Sequence, residues 1–456
     1  MAKAKKVFVC RECGHHSAKW LGSCPSCGKW NTFREDVKSD DGEEKQQQHK
    51  SRIKDSNKKV RPKKLSEIDF KEEQRLPTKI KELDRVLGGG FMPGSFVLLG
   101  GDPGVGKSTL TLQIARANPS IDILYCAGEE SAGQIKQRAT RMHIDHETLL
   151  IYNETNVSKI VREARETKPD LLIVDSIQTL YRPESQSMPG SVRQIRECSA
   201  LLQQLAKQYG ITTLIVGHVT KEGELAGPRL LEHTVDTVLQ FEGQDMHTYR
   251  LLRSLKNRFG PAHEVGVFDM RDDGLKEINN PSEFFISNHP NKQSGSAIIC
   301  TIEGSRPLLV EIQALVTNSN YGTPQRTSNG FDNKRLSLLL AVLEKRAGYH
   351  FSGQDVYLNV AGGLKIMDPA SDLGVALALV SSLVDKPINH EQVFLGEVGL
   401  GGEVRAVSHL ERRLGEVGKL GYNEVLLPRA NKSNNDKSGL DLIHINELDE
   451  VWDLCL

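Results

Sequence analysis

The octapeptide Gly101-Asp102-Pro103-Gly104-Val105-Gly106-Lys107-Ser108 fits G-x4-G-K-[ST], the spacing of a phosphate-binding P-loop. Glycines at these positions let backbone N–H groups close on phosphates, and the helix that follows adds partial positive charge at its N-terminus. Within that loop Lys107 is the candidate contact to the β- and γ-phosphates, and the Ser108 hydroxyl the candidate magnesium ligand. Thr109 is expected to make a neighbouring phosphate contact or a helix-start bond. Leu171-Leu172-Ile173-Val174-Asp175 is an apolar run ending in a carboxylate. A buried strand of that kind brings Asp175 to the rim of a sheet, where it can hold the magnesium shell of a bound nucleotide. Tyr125-Cys126-Ala127-Gly128-Glu129-Glu130 is a third strand end, with two acids. Glu129 is the preferred general base for the attacking water and Glu130 the alternative. His218 closes another strand, where it either senses the γ-phosphate or makes a structural hydrogen bond.

A second chemistry sits at the N-terminus. Cys10-x2-Cys13 and Cys24-x2-Cys27 form two knuckles ten residues apart. Two such turns complete the four-thiolate tetrahedron that zinc prefers, with two structural disulfides as the competing arrangement. Trp20, Trp30 and Phe33 are expected to cover so small a core. Cys126, Cys198, Cys300 and Cys455 have no pair spacing and are expected to be packed and inert.

The elements that must carry the loop and the acids alternate in character. Ser95–Gly100, Ile121–Ala127, Leu149–Tyr152, Leu171–Asp175 and Ile211–Gly217 read as short buried strands. Ser108–Ala117, Ala132–Met142, Val157–Thr167 and Ser191–Tyr209 read as amphipathic helices between them. That alternation predicts an α/β domain with a parallel sheet covered by helices, and a hairpin-rich edge after Gly243. Divided by composition, the chain reads as a four-cysteine module (1–33), a flexible charged linker (34–64), a P-loop ATPase domain (65–280), a connector (281–294) and a second α+β domain (295–456). In the last, strands are expected near Ser296–Glu303 and Leu308–Val316, helices at Lys334–Arg346 and Ser371–Val384, then a glycine-rich β segment and a final helix–strand pair.

The chain has 456 residues, with 59 Lys+Arg against 59 Asp+Glu. That balance hides a division: residues 1–64 hold 17 basic and 8 acidic residues, so the remainder carries the opposite excess. A basic arm on an acidic body suits a polyanionic partner engaged by counterion release. With 38% hydrophobic residues, no apolar run long enough to span a membrane and no apolar segment before Cys10, a cytoplasmic protein is expected.

Leu83-Asp84-Arg85-Val86-Leu87-Gly88-Gly89-Gly90, the Glu-ended strand and the Asp175 strand resemble the RecA superfamily. Zinc knuckles first, almost the whole chain is similar to the RadA (Sms) family of bacterial DNA repair proteins. Lys256-Asn257-Arg258-Phe259-Gly260 matches that family's own pentapeptide. The resemblance implies a DNA-stimulated ATPase using Mg2+ with ATP and one structural Zn2+, assembled as a hexameric ring of the DnaB helicase type. Such a ring would translocate on single-stranded DNA and extend or migrate branched recombination intermediates with RecA. It also implies that Lys256 or Arg258 completes a neighbour's ATP site, against the alternative of a β-turn whose cations touch DNA or solvent. A RecA-like nucleotide switch that does not translocate is a rival reading.

From about residue 295 the chain resembles the Lon protease domain, with its ribosomal-S5-like fold, through Asp368-Pro369-Ala370-Ser371-Asp372-Leu373 and Gly396–Arg405. A Lon-type serine needs a lysine of lowered pKa beside it. Ser371 precedes Asp-Leu, unlike the family nucleophile, and the lysine position falls at Glu411. Ser371 is therefore read as a helix N-cap and the domain as non-proteolytic, with an ATP-dependent protease as the rival. Lys334, Arg335, Lys345, Arg346, Arg412 and Arg413 are its candidate DNA contacts.

Overall fold

The computed structural model describes residues 5–10, 16–17, 19–25, 28–38, 64, 74–218, 230–243, 249–286, 293–319, 322–431 and 439–455. Of the expected linker, 34–64, the described residues are 34–38, which form a strand of the N-terminal unit rather than linker, and 64. The chain divides into two compact units, Met1–Glu72 and Glu73–Leu456. In the first, β1 (Lys5–Cys10) pairs antiparallel with both β2 (His16–Ser17) and β3 (Phe33–Lys38). Cys10, Cys24 and Phe33 form its core, with Phe8 packed against them. Trp20 and Trp30 do not cover that core: they are 54% and 75% exposed. Two phenylalanines already fill so small an interior.

The second unit begins with α1 (Lys81–Leu87) and a nine-stranded sheet in the order β12-β11-β10-β9-β4-β8-β7-β5-β6. Its parallel part comprises β4 (Phe96–Gly101), β5 (Ile123–Ala127), β6 (Leu149–Tyr152), β7 (Leu171–Asp175), β8 (Thr212–His218) and β9 (Thr237–Gly243). The helices between them are α2 (Lys107–Ala117), α3 (Ala132–Arg141), α4 (Val157–Thr167), α5 (Val192–Tyr209) and α6 (Leu230–Thr234). The apolar runs of β4, β5 and β7 are buried on both faces, as a parallel strand between helix layers requires. Side-chain caps at Ser131, Asn156 and Ser191 start α3, α4 and α5. The antiparallel edge follows as β10 (Tyr249–Asn257), β11 (Val265–Arg271) and β12 (Gly274–Glu277).

After α7 (Ser282–Phe285) comes a seven-stranded sheet in the order β15-β16-β14-β13-β17-β20-β21. It is built from β13 (Ser296–Glu303), β14 (Arg306–Asn318), β15 (Arg326–Asn329), β16 (Gln354–Val360) and β17 (Gln392–Phe394). A ribbon of β18 (Glu397–Val398) and β19 (Val404–Arg405) precedes its last strands, β20 (Glu424–Pro428) and β21 (Asp441–Ile445). The helices are α8 (Asn333–Lys345), α9 (Asp372–Val384), α10 (Leu410–Lys419) and α11 (Asp449–Cys455). The expected closing helix–strand pair is thus followed by a further strand and helix. No helix among the described residues is long and apolar enough to cross a membrane.

The two sheets share a core. Tyr249, Leu251, Val265 and Val267 of the β10–β11 hairpin pack in one apolar cluster with Ile299, Val310 and Phe285. At the turn between β13 and β14, Arg306 donates to Glu82 Oε2 at 2.6 Å. Glu82 also accepts from Val267 N at 2.9 Å, and both side chains are buried. Across that two-residue turn, Arg253 of β10 pairs with Glu303 at 2.6 Å, and also with Glu242 at 3.1 Å.

Ser371 differs from its expected role. Asp368 is the residue whose carboxylate caps the short helix there, and Ser371 Oγ instead donates to the Asp368 carbonyl at 2.7 Å. Two of the candidate DNA-contact cations are turned to the interior instead. Arg413 is fully buried and pairs with Asp368 at 2.7 Å, and Arg335 is bonded through two nitrogens to buried Asp372. Removing one partner of a buried ion pair leaves the other charge unpaired. Arg306→Ala is therefore expected to lower unfolding stability by about 3–5 kcal/mol. Urea unfolding measures this, and a loss no larger than a surface pair gives would show that Glu82 is not held by Arg306.

Candidate nucleotide and metal sites

The P-loop leaves the C-terminal end of β4, the central strand, and α2 starts at Lys107. Gly104 and Gly106 have φ of +80° and +113°, a region L side chains rarely enter, and a Cβ on Gly106 would lie 2.6 Å from Met270 Cε. Lys107 is buried, and its Nζ donates to the carbonyls of Gly101 and Asp102, each at 2.8 Å. Burial pulls its pKa down, and the charges of Asp175, Asp102 and Glu129 pull it back up. The ammonium therefore lies within the field of both strand-end acids.

Asp175 lies at the end of β7, beside Ala127 at the end of β5. Tyr125 Oη donates to Asp175 Oδ2 at 2.7 Å, and burial with that carboxylate raises the Tyr125 pKa well above its usual value. Ser176, joined to Asp175 by a cis peptide bond, donates its hydroxyl to Glu129 Oε1 at 2.5 Å. Glu130 instead pairs with Arg138 of α3 at 2.6 Å. Gly128 permits this convergence, since a Cβ there would overlap Thr179 Oγ1 at 1.9 Å. Ser108, Asp175, Glu129, Glu130 and Tyr125 line one cleft of about 20 Å³, room for about one water or ion. A hydroxyl facing a carboxylate across such a cleft fits a magnesium site, with Ser108 and Asp175 as protein ligands. Tyr125, which lines this cleft, and Ser176, which bonds Glu129, were not singled out in the sequence, although Ser176 directly follows Asp175 and Tyr125 lies four residues before Glu129. The His218 side chain lies outside the described residues; its Cα pairs with Gly101 across β4 and β8.

Lys256 and Arg258 are not brought to this cleft. β10 runs antiparallel to β9, so the pentapeptide emerges at the opposite edge of the sheet, where Asn257 is level with Thr237 and Val97. Lys256 Nζ donates to the carbonyls of Glu232 and Val235 at 2.5 and 2.8 Å. Burial lowers its pKa, and the Arg258 charge lowers it further. Arg258 is exposed and lies 3.6 Å from Oδ1 of Asp236, whose Oδ2 accepts from Phe96 N at the start of β4. From Phe96 to Gly101 is about 17 Å of strand. The rest of the pentapeptide is a clamp: Asn257 and Arg75 both donate to the Leu87 carbonyl at the end of α1, at 3.1 and 3.2 Å.

In the N-terminal unit, Cys10 and Cys24 are each 1% exposed and meet in one core. Buried thiols converging between two knuckles fit a zinc site; Cys13 and Cys27, the other two expected ligands, lie outside the described residues. Cys126, Cys198, Cys300 and Cys455 are buried, and burial pushes each thiol up to about 12, so they are inert.

Three family models match the chain: an AAA domain over residues 61–224, a rubredoxin metal binding domain over 8–35, and the subunit ChlI of Mg-chelatase over 332–431. A DNA repair protein RadA from Bacillus subtilis (strain 168) is 47% identical over 99% of this chain and 98% of its own length. Its namesake from Streptococcus pyogenes serotype M3 is 48% identical over 99% of both chains, and that from Listeria monocytogenes is 47% identical over 95% and 94%. Among solved structures, the RadB recombinase is similar over 45% of this chain and all of its own, at 21% identity and a TM-score of 0.37. The fold is a RecA-like P-loop core between an N-terminal zinc ribbon and a C-terminal ChlI/Lon-like domain.

The two adjacent acids have different partners, which separates them experimentally. Glu129→Gln is expected to lower kcat for ATP by about 100-fold or more, whereas Glu130→Gln retains most of it. Steady-state phosphate release measures both, and equal losses would remove the distinction.

Proposed function

The chain belongs to the RadA family of DNA repair proteins, and from that premise we propose that it is a DNA-stimulated ATPase that moves along single-stranded DNA. In this reading residues 65–280 are the motor, 1–33 the zinc module, 34–64 a linker, 281–294 a connector and 295–456 a non-proteolytic assembly domain. Lys107 and the P-loop residues Gly101 to Thr109 hold the triphosphate, with its magnesium on Ser108 and Asp175. Glu129 polarises water, and Ser176 orients Glu129. The partners are single-stranded DNA, branched recombination intermediates and RecA, and the setting is the cytoplasm.

One observation carries the reading: the Lys256–Gly260 pentapeptide and the P-loop lie at opposite edges of one sheet. Cations so far from their own phosphates can serve hydrolysis only on another subunit, which a ring supplies. Each subunit, six in a DnaB-type ring, would present this edge to its neighbour's cleft. Arg258 is better suited to that reach than Lys256, since its side chain is 56% exposed and makes only a 3.6 Å ion pair. Lys256, bonded to two carbonyls, fits a role in holding the loop. A cation over the developing phosphate charge is worth several orders of magnitude in rate.

The protease alternative has little support. Ser371 is fully buried with its hydroxyl bonded to Asp368, and Glu411 is an exposed carboxylate.

The test is displacement of a labelled strand from a branched substrate with a single-stranded tail, with and without RecA. The reading predicts ATP-dependent displacement that Arg258→Ala removes while nucleotide binding persists. DNA binding with no displacement by the unaltered protein would favour the non-translocating switch.

A further inference from the structure

Trp20 and Trp30 are the most conspicuous aromatic surface among the described residues, and no catalytic or packing role absorbs them. Trp30 pairs across a short bridge with Ser23, and its ring carbons lie 3.6 Å from where a Cβ on Gly22 would sit. The Asn31 N–H to Gly22 carbonyl bond, at 2.8 Å, and the Cys24 N–H to Lys29 carbonyl bond, at 2.9 Å, fix this segment on the second knuckle. The Trp30 ring therefore rides on backbone tied directly to the second knuckle, and both rings leave most of their own surface in water. Lys19, next to Trp20 in the chain, and Arg34 on β3 are both exposed. Residues 1–38, to the end of β3, hold eight Lys and Arg against three acids, Glu12, Glu35 and Asp36.

We propose that Trp20 and Trp30 are a base-stacking platform for single-stranded DNA, with Lys19 and Arg34 following the phosphates. Planar rings on a rigid support take any unpaired base, because every base has a π-face, and the surrounding positive charge selects a polyanion. A duplex hides its base faces and offers these rings nothing to stack on. The platform rests on the reading that DNA is the partner, and it gives the zinc ribbon a task separate from the motor.

The chain has three tryptophans, and the third, Trp452, packs edge-on against Tyr349 at 5.1 Å. In full-length Trp452→Phe protein, emission therefore reports Trp20 and Trp30. An oligo(dT) probe is expected to quench it saturably, and an abasic strand of the same length is not. Changing both tryptophans to alanine should weaken binding of labelled oligo(dT), read by anisotropy, by about 5- to 100-fold. Changing both to phenylalanine should retain most of the affinity, which separates stacking from loss of the fold. Saturable oligo(dT) binding without quenching, quenching by the abasic strand to the same extent, or an emission shift seen only with anionic phosphatidylglycerol vesicles would overturn the platform. Quenching by oligo(dT) in a protein whose ATPase ignores DNA would keep the platform and sink the motor.

Discussion

The reversal between β9 and β10 is the constraint on which the functional reading depends. β4 delivers the P-loop at one edge of the sheet; β9 runs beside it in the same direction; β10 returns and releases Lys256–Gly260 at the other edge. No rotamer of a lysine or arginine spans the roughly 17 Å of strand between those edges. The position is not loosely held. Asn257 and Arg75 fasten the pentapeptide to the end of α1, and Gly260 passes close enough to Gly88 that a side chain on either would crowd the other. Both sequence motifs that resemble RecA-type and RadA-type proteins thus meet in one clamp.

The same hairpin is gripped from its other side by the C-terminal domain. Arg306 reaches Glu82 on α1, Arg253 reaches Glu303, and the apolar face of β10 and β11 is shared with β13 and β14. Buried pairs of this kind contribute less to net stability than to fixing one arrangement, because desolvation offsets much of their attraction. In the proposed ring, a shift felt at Arg258 through a neighbour's nucleotide would therefore move the C-terminal domain with it. That domain has a buried serine bonded to a carbonyl where a protease needs a reactive one, and its interior is cross-linked by Arg413 to Asp368 and by Arg335 to Asp372. These contacts suit a scaffold.

Much of the fold was legible because its signals are local. The apolar run before Asp175 has the length and composition of a strand buried on both faces, and the glycines of the P-loop need positive φ at particular positions. The choice between Glu129 and Glu130 was not legible, since it depends on Ser176 and Arg138 arriving from two other elements. Arg413 and Arg335 looked like DNA contacts because their partners, Asp368 and Asp372, lie well over thirty residues earlier or later in the chain. Trp20 and Trp30 looked like core because aromatic residues near cysteines usually are; among the described residues the ribbon's interior is formed by Phe33 and Phe8 with Cys10 and Cys24. The clamp joining residue 257 to residue 87 has no trace in spacing at all.

The central claim is that one subunit's phosphates are completed by another's pentapeptide. Mixing two inactive proteins tests it directly: Lys107→Ala, which lacks the phosphate contact, and Arg258→Ala, which lacks the donated cation. In a ring of shared sites, some junctions in the mixture regain an intact P-loop facing an intact pentapeptide. DNA-stimulated phosphate release should then reappear on mixing and peak at intermediate ratios. A mixture that stays inactive at every ratio, while the two proteins demonstrably co-assemble, would contradict the shared site.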